Sequence, residues 1–476
     1  MTFYSVKKIY HFLVFLLAIL LFTACVTKKY TRPELSSQAN TYRNIETDTT
    51  NFATINWRIF FADPYLIALI DTALQNNFDI KKAESQMRAA EEYLKRSKAA
   101  FAPSIGVSLG MGITGANVNG TLKPIGMLSL QSTMLVQTPS VAATWEIDIW
   151  GKLASAKRSA KAQLEQSQAY YQAMQTQLIA AIASAYYALI SYDDELQIYE
   201  ASAKTRGESM EVLKALKEAA KTNEVSVNQG AAQYYYTLAT IPQIKINIQT
   251  TENLIAVLIG KPPMEIKRST IFDAQFGEVD YLQTGIPAQL LANRPDLVAT
   301  EKALIAAHEQ WNYARAAMYP SLVISGNAGF DATNFANWFS FSQSFAGKLL
   351  AGLTAPIFAQ RQLKTQRNVA AENKMQAIYN YEYTMLAAQR EVSDAFITYL
   401  LSKESIENQI LQVEQLNYAI SGSLELLKSG KASYLDLLFA QDNALNSAIG
   451  LVRYYLQNTY AKIELYRALG GGWNGN

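Results

Sequence analysis

Apolar residues recur at helical spacing along most of the chain, and the longest such stretch predicts a helical hairpin. Residues 151–241 contain no proline, and their apolar positions alternate with a surface rich in Gln, Lys and Glu. A helix over about 152–219 would be on the order of 100 Å long, so it must pack against other helices. Asn223 is a suitable N-cap for a return helix, which Gly260 and the two prolines after it would end.

The same pattern occurs twice. Eleven positions between Leu74 and Ser104 recur 217 residues later, between Leu291 and Ser321, and from Leu153 onwards the offset becomes 210. The first offset covers eleven identities, where chance gives about two in such a window: Leu291, Asn293, Asp296, Glu301, Ala306, Ala307, Glu309, Ala316, Ala317, Pro320 and Ser321. A period this long indicates one large unit duplicated within the chain. The second copy therefore predicts another hairpin over about 361–470, with Gly430 ending its long helix and Ser433 capping the return helix.

Each copy also changes to a period of two before its long helix. Apolar and small or polar residues alternate over 105–113 and 141–149, and less regularly over 322–330 and 349–357. These segments predict one β-hairpin per copy, about 104–149 and about 321–358. Glu146 and Asp148 fall on the side opposite the apolar stripe of their strand.

Four strands that are apolar on one side suit the wall of a transmembrane barrel, but four are too few to close one. Several chains would then have to share the barrel, with Glu146 and Asp148 facing its lumen or mouth and favouring cations. A small soluble sheet that rests its apolar face on a helix is the alternative.

The N-terminus has the features of an export signal. Two lysines precede an apolar run over 12–22, which is too short to span a bilayer, and small residues lead to Cys25. We interpret residues 1–24 as a lipoprotein signal peptide and Cys25 as the acylated first residue of the mature chain. An ordinary signal peptide followed by an incidental cysteine is the alternative.

Composition limits the remaining functions. The formal net charge is +2 with both signs interspersed, and the chain has 1 cysteine and 2 histidines. No basic face suggests nucleic acid. No phosphate loop, no nucleophile beside a base and no Cys/His ligand set is recognisable, so we expect no catalytic, metal or cofactor-binding residues and no enzyme activity. An enzyme using carboxylates on a helical scaffold stays open as an alternative.

Several motifs, in order and at the junctions of predicted elements, resemble the TolC-type outer-membrane efflux proteins, in particular the lipoprotein (NodT/OprM-like) branch that partners resistance-nodulation-division pumps. The resemblance spans nearly the whole mature chain. The motifs that carry it are Leu291-Ala-Asn-Arg-Pro-Asp-Leu297, Ala314-Arg-Ala-Ala317, Trp145-Glu-Ile-Asp-Ile-Trp-Gly-Lys152, Ser433-Tyr-Leu-Asp-Leu-Leu438 and Leu258-Ile-Gly-Lys-Pro-Pro263. Asn312 departs from the family pattern, which usually has Gly there.

The resemblance implies a mainly helical fold with membrane strands, in which a homotrimer forms a twelve-stranded β-barrel and a periplasmic α-helical barrel. It implies an exit duct in the bacterial outer membrane, anchored at Cys25 to outer-membrane lipid, with a periplasmic adaptor and an inner-membrane pump as partners. The hairpin tips would then dock the adaptor or gate the duct, and the candidates are Lys221, Glu224, Gly430, Lys431, Ser433 and Asp436. Each of them could equally be a solvated turn or cap residue.

The predicted organisation follows the duplication. It comprises the signal peptide 1–24, an extended segment 25–62, a first repeat 63–260 with its helical hairpin at about 151–260, an equatorial linker 261–285, a second repeat 286–470 and a tail 471–476. Two other functions stay open at this point. One is the outer-membrane component of an ATP-driven type I protein exporter, and the other is a periplasmic adaptor or scaffold lipoprotein.

Overall fold

A computed structural model describes residues 27–33, 55–109, 112–115, 132–270, 293–332 and 340–473. The chain divides into two compact units. Unit 1 comprises residues 1–33, 88–166 and 301–380, and unit 2 comprises residues 34–87, 167–300 and 381–476. The predicted signal peptide, Cys25 and most of the predicted linker lie outside the described residues.

The described elements follow the duplication in the sequence. The helices are α1 (Trp57–Phe60), α2 (Pro64–Asn76), α3 (Phe78–Ala99), α4 (Lys152–Glu218), α5 (Glu224–Leu258), α6 (Pro295–Ala316), α7 (Phe341–Ser344), α8 (Gln362–Lys428) and α9 (Tyr434–Ala468). The strands are β1 (Ser104–Ser108), β2 (Gly112–Gly115), β3 (Ser132–Ile147), β4 (Ser321–Ala332) and β5 (Phe345–Thr354). In each copy a helix of 67 residues is followed by one of 35. Both predicted helical hairpins are therefore present.

All four hairpin helices end in the same local structure. The second residue after the last helical residue has a positive φ in each case: 57° at Ala220, and 71°, 71° and 93° at Gly260, Gly430 and Gly470. Paired backbone hydrogen bonds close each end; at the first tip they run from Ala220 N to Lys217 O and from Lys221 N to Leu216 O. This is a Schellman motif, which satisfies the last carbonyls of a helix. Three of the four ends use glycine, and the first tip uses alanine.

The ends of the return helices pack tightly against the helices that start each copy. A Cβ built on Gly260 would lie 2.8 Å from the carbonyl oxygen of Asn76. On Gly470 it would lie 2.5 Å from the carbonyl carbon of Asn293 and closer still to its oxygen. Asn293 is the equivalent of Asn76 under the first offset, as Gly470 is of Gly260 under the second. Residues related by the first offset thus contact residues related by the second offset, at an equivalent junction in each copy.

A side-chain hydrogen bond repeats beside this junction. In the first copy Asn77 Nδ2 donates to the carbonyl of Leu258 at 2.8 Å. In the second copy Arg294, which replaces Asn77, donates from Nη1 to the carbonyl of Ala468 at 3.1 Å. Both donors satisfy a carbonyl near the end of a return helix, where no backbone donor is available.

The strands form one antiparallel sheet in the order β1-β3-β4-β5, and β2 also pairs with β3. Segments β1 and β2 lie along the same side of β3, where the pattern predicted a single strand over 105–113. The pairing of β3 with β4, such as Trp145 with Ile324, joins the hairpins of the two copies. Sequence alternation could not indicate this pairing, because it is set by contacts between distant segments.

The predicted strand bounds need correction at β3 and β5. Strand β3 begins at Ser132, nine residues before the predicted Val141, and ends at Ile147, so Asp148 is not part of it. Asp148 instead accepts hydrogen bonds from the backbone N–H groups of Leu153 and Ala154 at the start of α4, at 3.1 and 2.7 Å. Strand β5 lies over Phe345–Thr354, where 349–357 was predicted.

The cross-strand register separates an apolar face from a more polar one. Val107 pairs with Val141, Trp145 with Ile324 and Leu322 with Leu353, which places these side chains on one face. The side chains of this face are largely uncovered: Val107 is 75% and Leu349 is 79% exposed. The described chain therefore leaves an apolar sheet face without a cover.

The core of unit 2 surrounds the short N-terminal helices. Trp57, Phe60 and Phe61 are fully buried, and the ring of Phe60 stacks on Tyr466 with centroids 4.2 Å apart. Among the described helices, only α4 has a window long and apolar enough to cross a membrane, and 61% of that window is buried within the chain. Its apolar residues thus have helices to pack against.

Candidate functional site at the hairpin tips and strand ends

The first tip is a polar turn stabilised by its own side chains. Asn223 caps α5, as predicted, because its Oδ1 accepts a hydrogen bond from the N–H of Ser226 at 3.0 Å. Glu224 forms an ion pair with Lys217 across the turn. Lys221 and Glu224 are both exposed, so either can also meet a partner.

The second tip uses a different cap. The Asp436 carboxylate accepts hydrogen bonds from the backbone N–H and the hydroxyl of Ser433, at 2.8 and 3.0 Å. Gly430, Lys431, Ser433 and Asp436 are all exposed. The carboxylate at position 436 thus stabilises its own turn, which the first copy achieves with Asn223. A docking or gating role for these residues stays a proposal.

Next to the tips, all four hairpin helices meet in one apolar cluster, called the tip core here. Its buried members come from α4, α5, α8 and α9: Leu213, Val227, Leu427, Tyr434 and Leu437. Gly230 lets the helices approach closely, since a Cβ there would lie 2.8 Å from Leu213 and 3.2 Å from the Tyr434 hydroxyl. Burial of this cluster holds the two hairpins together close to their exposed turns.

A buried arginine crosslinks the helices near the tip core. Arg206 on α4 is only 4% exposed, and its guanidinium binds Asp442 on α9 at 2.5 Å and the Gln233 side chain on α5 at 2.8 Å. Nearby, Gln441 donates to Ser209 at 2.9 Å in a buried contact. Sequence reasoning missed Arg206, because a lone arginine on a long helix carries no motif and its partner is 236 residues away.

Exposed apolar side chains flank both tips. Val225 at the start of α5 is 62% exposed, and its repeat equivalent Leu435 is 46% exposed. Phe439, one turn further along α9, is also exposed. Apolar groups presented at equivalent positions of both turns are suited to contact another protein.

At the C-terminal end of β3 the two predicted carboxylates have different surroundings. Glu146 lies on the more polar face and forms an ion pair with Lys152 at the start of α4. Asp148 lies beyond the strand and caps the same helix. The register also places Lys348 on the face of Glu146, which adds a positive charge that the sequence reasoning did not consider. A lumenal role for Glu146 and Asp148 remains a proposal.

The Asn-Arg-Pro-Asp motif forms a charge network at the start of α6. The side chain of Arg294 is 4% exposed; its guanidinium binds Asp296 at 2.5 and 3.0 Å and Glu391 at 2.9 Å. Arg467 on α9 reaches the same carboxylate of Glu391 at 3.0 Å. Burial alone would raise the pKa of Asp296, but its hydrogen bonds and charge pairing with Arg294 outweigh this and lower the pKa. The motif thus ties α6 to α8 and α9.

A second charged group lies beside the loop after α5. Arg268 binds Asp193 on α4 and Glu252 on α5, the latter at 2.6 Å, so it joins three segments. The neighbouring Asp194 has a pKa raised to about 6, first by burial and then by the charge of Asp193. Among the described residues, no group of His, Cys, Asp and Glu could hold a metal ion.

Comparisons with known proteins agree with this architecture. The model of a family described as outer membrane efflux protein matches residues 69–261 and 286–471. The chain is 26% identical to the toluene efflux pump outer membrane protein TtgF of Pseudomonas putida over 98% of this chain and 97% of that protein. It is 24% identical to the probable outer membrane lipoprotein SilC of Salmonella typhimurium, over 96% and 97%. The solved outer-membrane channel OprN has a TM-score of 0.84 at 24% identity and covers 94% of this chain and 99% of that one.

Proposed function

The chain belongs to the outer membrane efflux protein family, and we propose that it is the passive exit duct of a tripartite efflux system. Three copies would complete one barrel through the outer membrane, and their long helices would form the periplasmic tunnel. An inner-membrane pump and a periplasmic adaptor would deliver the substrate.

The single observation that carries the proposal is the incomplete sheet. Within the part of the chain that the structure describes, its apolar face is uncovered and the order β1-β3-β4-β5 leaves β1 and β5 as edges. Unpaired strand edges and exposed apolar side chains are costly in water. In a bilayer, a closed barrel pairs every strand edge and turns the apolar side chains towards lipid. Each copy supplies four strand positions if β1 and β2 count as one, so a trimer supplies twelve.

The partners follow from the tips and the N-terminus. The exposed turns, with Val225 and Leu435 at equivalent positions, are suited to dock an adaptor. TtgF is called a toluene efflux pump protein, which supports a pump for small molecules over an ATP-driven protein exporter. The resistance-nodulation-division type of this pump rests on the resemblance in the sequence motifs. SilC is called a probable lipoprotein, which supports acylation of Cys25 and attachment to the outer membrane.

Cysteine crosslinking of the two sheet edges tests the duct directly. If neighbouring copies join β1 to β5, then Ile105→Cys combined with a cysteine at Leu349, Ala351 or Leu353 should give disulfide-linked trimers in outer membranes for at least one pairing. Cys25 does not interfere when its thiol is acylated. The shared barrel brings these edges within the reach of a disulfide.

The matched control is Ile105→Cys with Ile324→Cys, because Ile324 lies on the same face of the sheet but on the central strand β4. This pair should give no covalent trimer. If all three edge pairs stay monomeric while the protein is recovered in the outer-membrane fraction, three copies do not share the sheet as proposed.

A further inference from the structure

The segment after the predicted lipid anchor is fixed to helix α6 by its backbone. Asn312 forms two hydrogen bonds with Lys28, accepting from its N–H at 3.0 Å and donating to its carbonyl at 2.9 Å. Nε2 of His308 also lies 2.8 Å from that carbonyl. Asn312 is fully buried, so this departure from the usual family glycine serves a specific contact. Further along the segment, Arg32 pairs with Glu301 at 2.6 and 2.8 Å.

This attachment places three cations around one indole ring. The Arg315 guanidinium lies 4.7 Å from the centroid of Trp311, and the Nζ atoms of Lys374 and Lys28 lie 4.8 and 6.0 Å from it. The cations come from three different segments: Lys28 from the N-terminal stretch, Arg315 from α6 and Lys374 from α8. Cation–π contact with the ring holds them near each other despite their repulsion.

The cluster lacks a counter-charge in the described part of the chain. None of its three cations forms an ion pair there, and Nη1 of Arg315 is buried without a hydrogen-bond partner. The carboxylate of Glu309 on the same helix is already bound by Arg158 at 2.9 Å. Burial, and then the charge of Lys28, lower the pKa of Lys374. Concentrated positive charge with an unsatisfied buried donor is a site that an anion would complete.

Chain geometry limits where that anion can come from. Lys28 follows Cys25 by three residues, so their Cα atoms are at most about 11 Å apart. The headgroup layer on each side of a bilayer is roughly 5–7 Å thick. When Cys25 carries lipid, the cluster must therefore lie at or next to the headgroups, where tryptophan and basic side chains are both favoured.

We propose that Lys28, Arg315 and Lys374, arranged around Trp311, bind the phosphate of an anionic phospholipid headgroup beside the acyl chains on Cys25. The site rests on the proposed lipid anchor of the duct for its position at the membrane. A lipid bound here would also fix the position of α6 along the membrane normal, and hence that of β4, which follows α6 in the chain.

Native mass spectrometry of the detergent-solubilised, acylated trimer tests the site with phosphatidylglycerol as the probe. The triple variant Lys28→Gln, Arg315→Gln, Lys374→Gln should bind this lipid at least tenfold more weakly than the unmodified chain. The matched control neutralises three exposed lysines of the same unit, Lys95→Gln, Lys98→Gln and Lys364→Gln, and should bind as the unmodified chain does. Equal binding by both triple variants overturns the proposal.

Two further measurements identify the anion and keep the test decisive if the triple variant misfolds. Inorganic phosphate that displaces the lipid at equal concentration would show a site for free phosphate instead. If the triple variant does not assemble, quenching by phosphatidylglycerol brominated near its headgroup decides. The unmodified chain should lose more fluorescence than Trp311→Phe, and an equal loss refutes the site.

A Cys25→Ser variant separates this site from the proposed duct. In detergent it should keep its affinity for phosphatidylglycerol, because the binding side chains are unchanged. Failure of the lipid anchor would appear as an intact mass of the unmodified chain that carries no acyl group on Cys25, whereas failure of the headgroup site would appear only in the lipid titration.

Discussion

The four helix ends with positive φ allow a quantitative test, because they share backbone geometry but differ in space. Gly430 has a φ of 71° and nothing within 4 Å of a built Cβ, whereas Gly260 has the same φ and a carbonyl oxygen 2.8 Å away. Replacing each by alanine therefore separates the cost of the backbone conformation from the cost of a clash. Gly470 adds a still closer contact, and Ala220 offers the reverse substitution.

The magnitudes follow from these surroundings. A side chain in the left-handed region costs about 1–2 kcal/mol, and replacing glycine recovers about 0.4–1 kcal/mol by restricting the unfolded chain. Gly430→Ala should therefore destabilise by about 0.5–1 kcal/mol. Gly260→Ala should cost a further ~1–3 kcal/mol for the displaced backbone of Asn76, and Gly470→Ala at least as much. Ala220→Gly should be neutral or stabilising by up to about 1 kcal/mol.

Thermal unfolding of the purified protein in detergent, followed by far-ultraviolet circular dichroism, measures the order. The melting temperature should fall from Ala220→Gly through the unmodified protein, Gly430→Ala and Gly260→Ala to Gly470→Ala. Equal losses for Gly430→Ala and Gly260→Ala would refute the reasoning, since the second has a steric term that the first lacks. A marked loss for Ala220→Gly would show that its methyl group contributes contacts of its own.

Two further predictions concern charge. Arg294→Met should destabilise by about 1–3 kcal/mol, because it leaves the partly exposed carboxylate of Asp296 and the carbonyl of Ala468 without their donor, whereas Glu391 keeps its ion pair with Arg467. Arg294→Lys should cost less, and similar melting temperatures for Arg294→Met and the unmodified protein would contradict the network. In planar bilayers, Glu146→Gln should shift the reversal potential away from cation selectivity, and Lys348→Gln should shift it towards cation selectivity. Asp148→Asn should have a smaller effect, because this carboxylate binds helix N–H groups. An unchanged reversal potential in Glu146→Gln with Asp148→Asn removes both residues from the lumen.

Local signals predicted the helical hairpins well. Period and capping act within a few residues, so Asn223 and Ser433 marked the return helices and the glycines marked the ends. The strands were harder, since an alternating pattern does not say where pairing starts and stops. Strand β3 gains residues at its start through pairing with β2 and β4, and it loses Asp148 to helix capping.

The candidate site divides in the same way. The tip residues were found because turns have a composition of their own. Arg206, Asp442 and the cluster around Trp311 were not found, because each depends on groups that meet only after the chain folds. Asn312 is the clearest example: the sequence showed a departure from the family pattern, and the structure supplied Lys28, 284 residues away, as its partner.

By itself, the sequence determined the duplication, the paired hairpins, the likeness to efflux proteins and the places where the helices turn, because these depend on neighbouring residues and on repeated spacing. Only the tertiary structure decided how β3 and β4 join the two copies, how Gly260 and Gly470 fit beside Asn76 and Asn293, and which charges are paired. The physical reason is that these contacts connect residues far apart in the chain, and their energies depend on distance, burial and register, which no local pattern encodes.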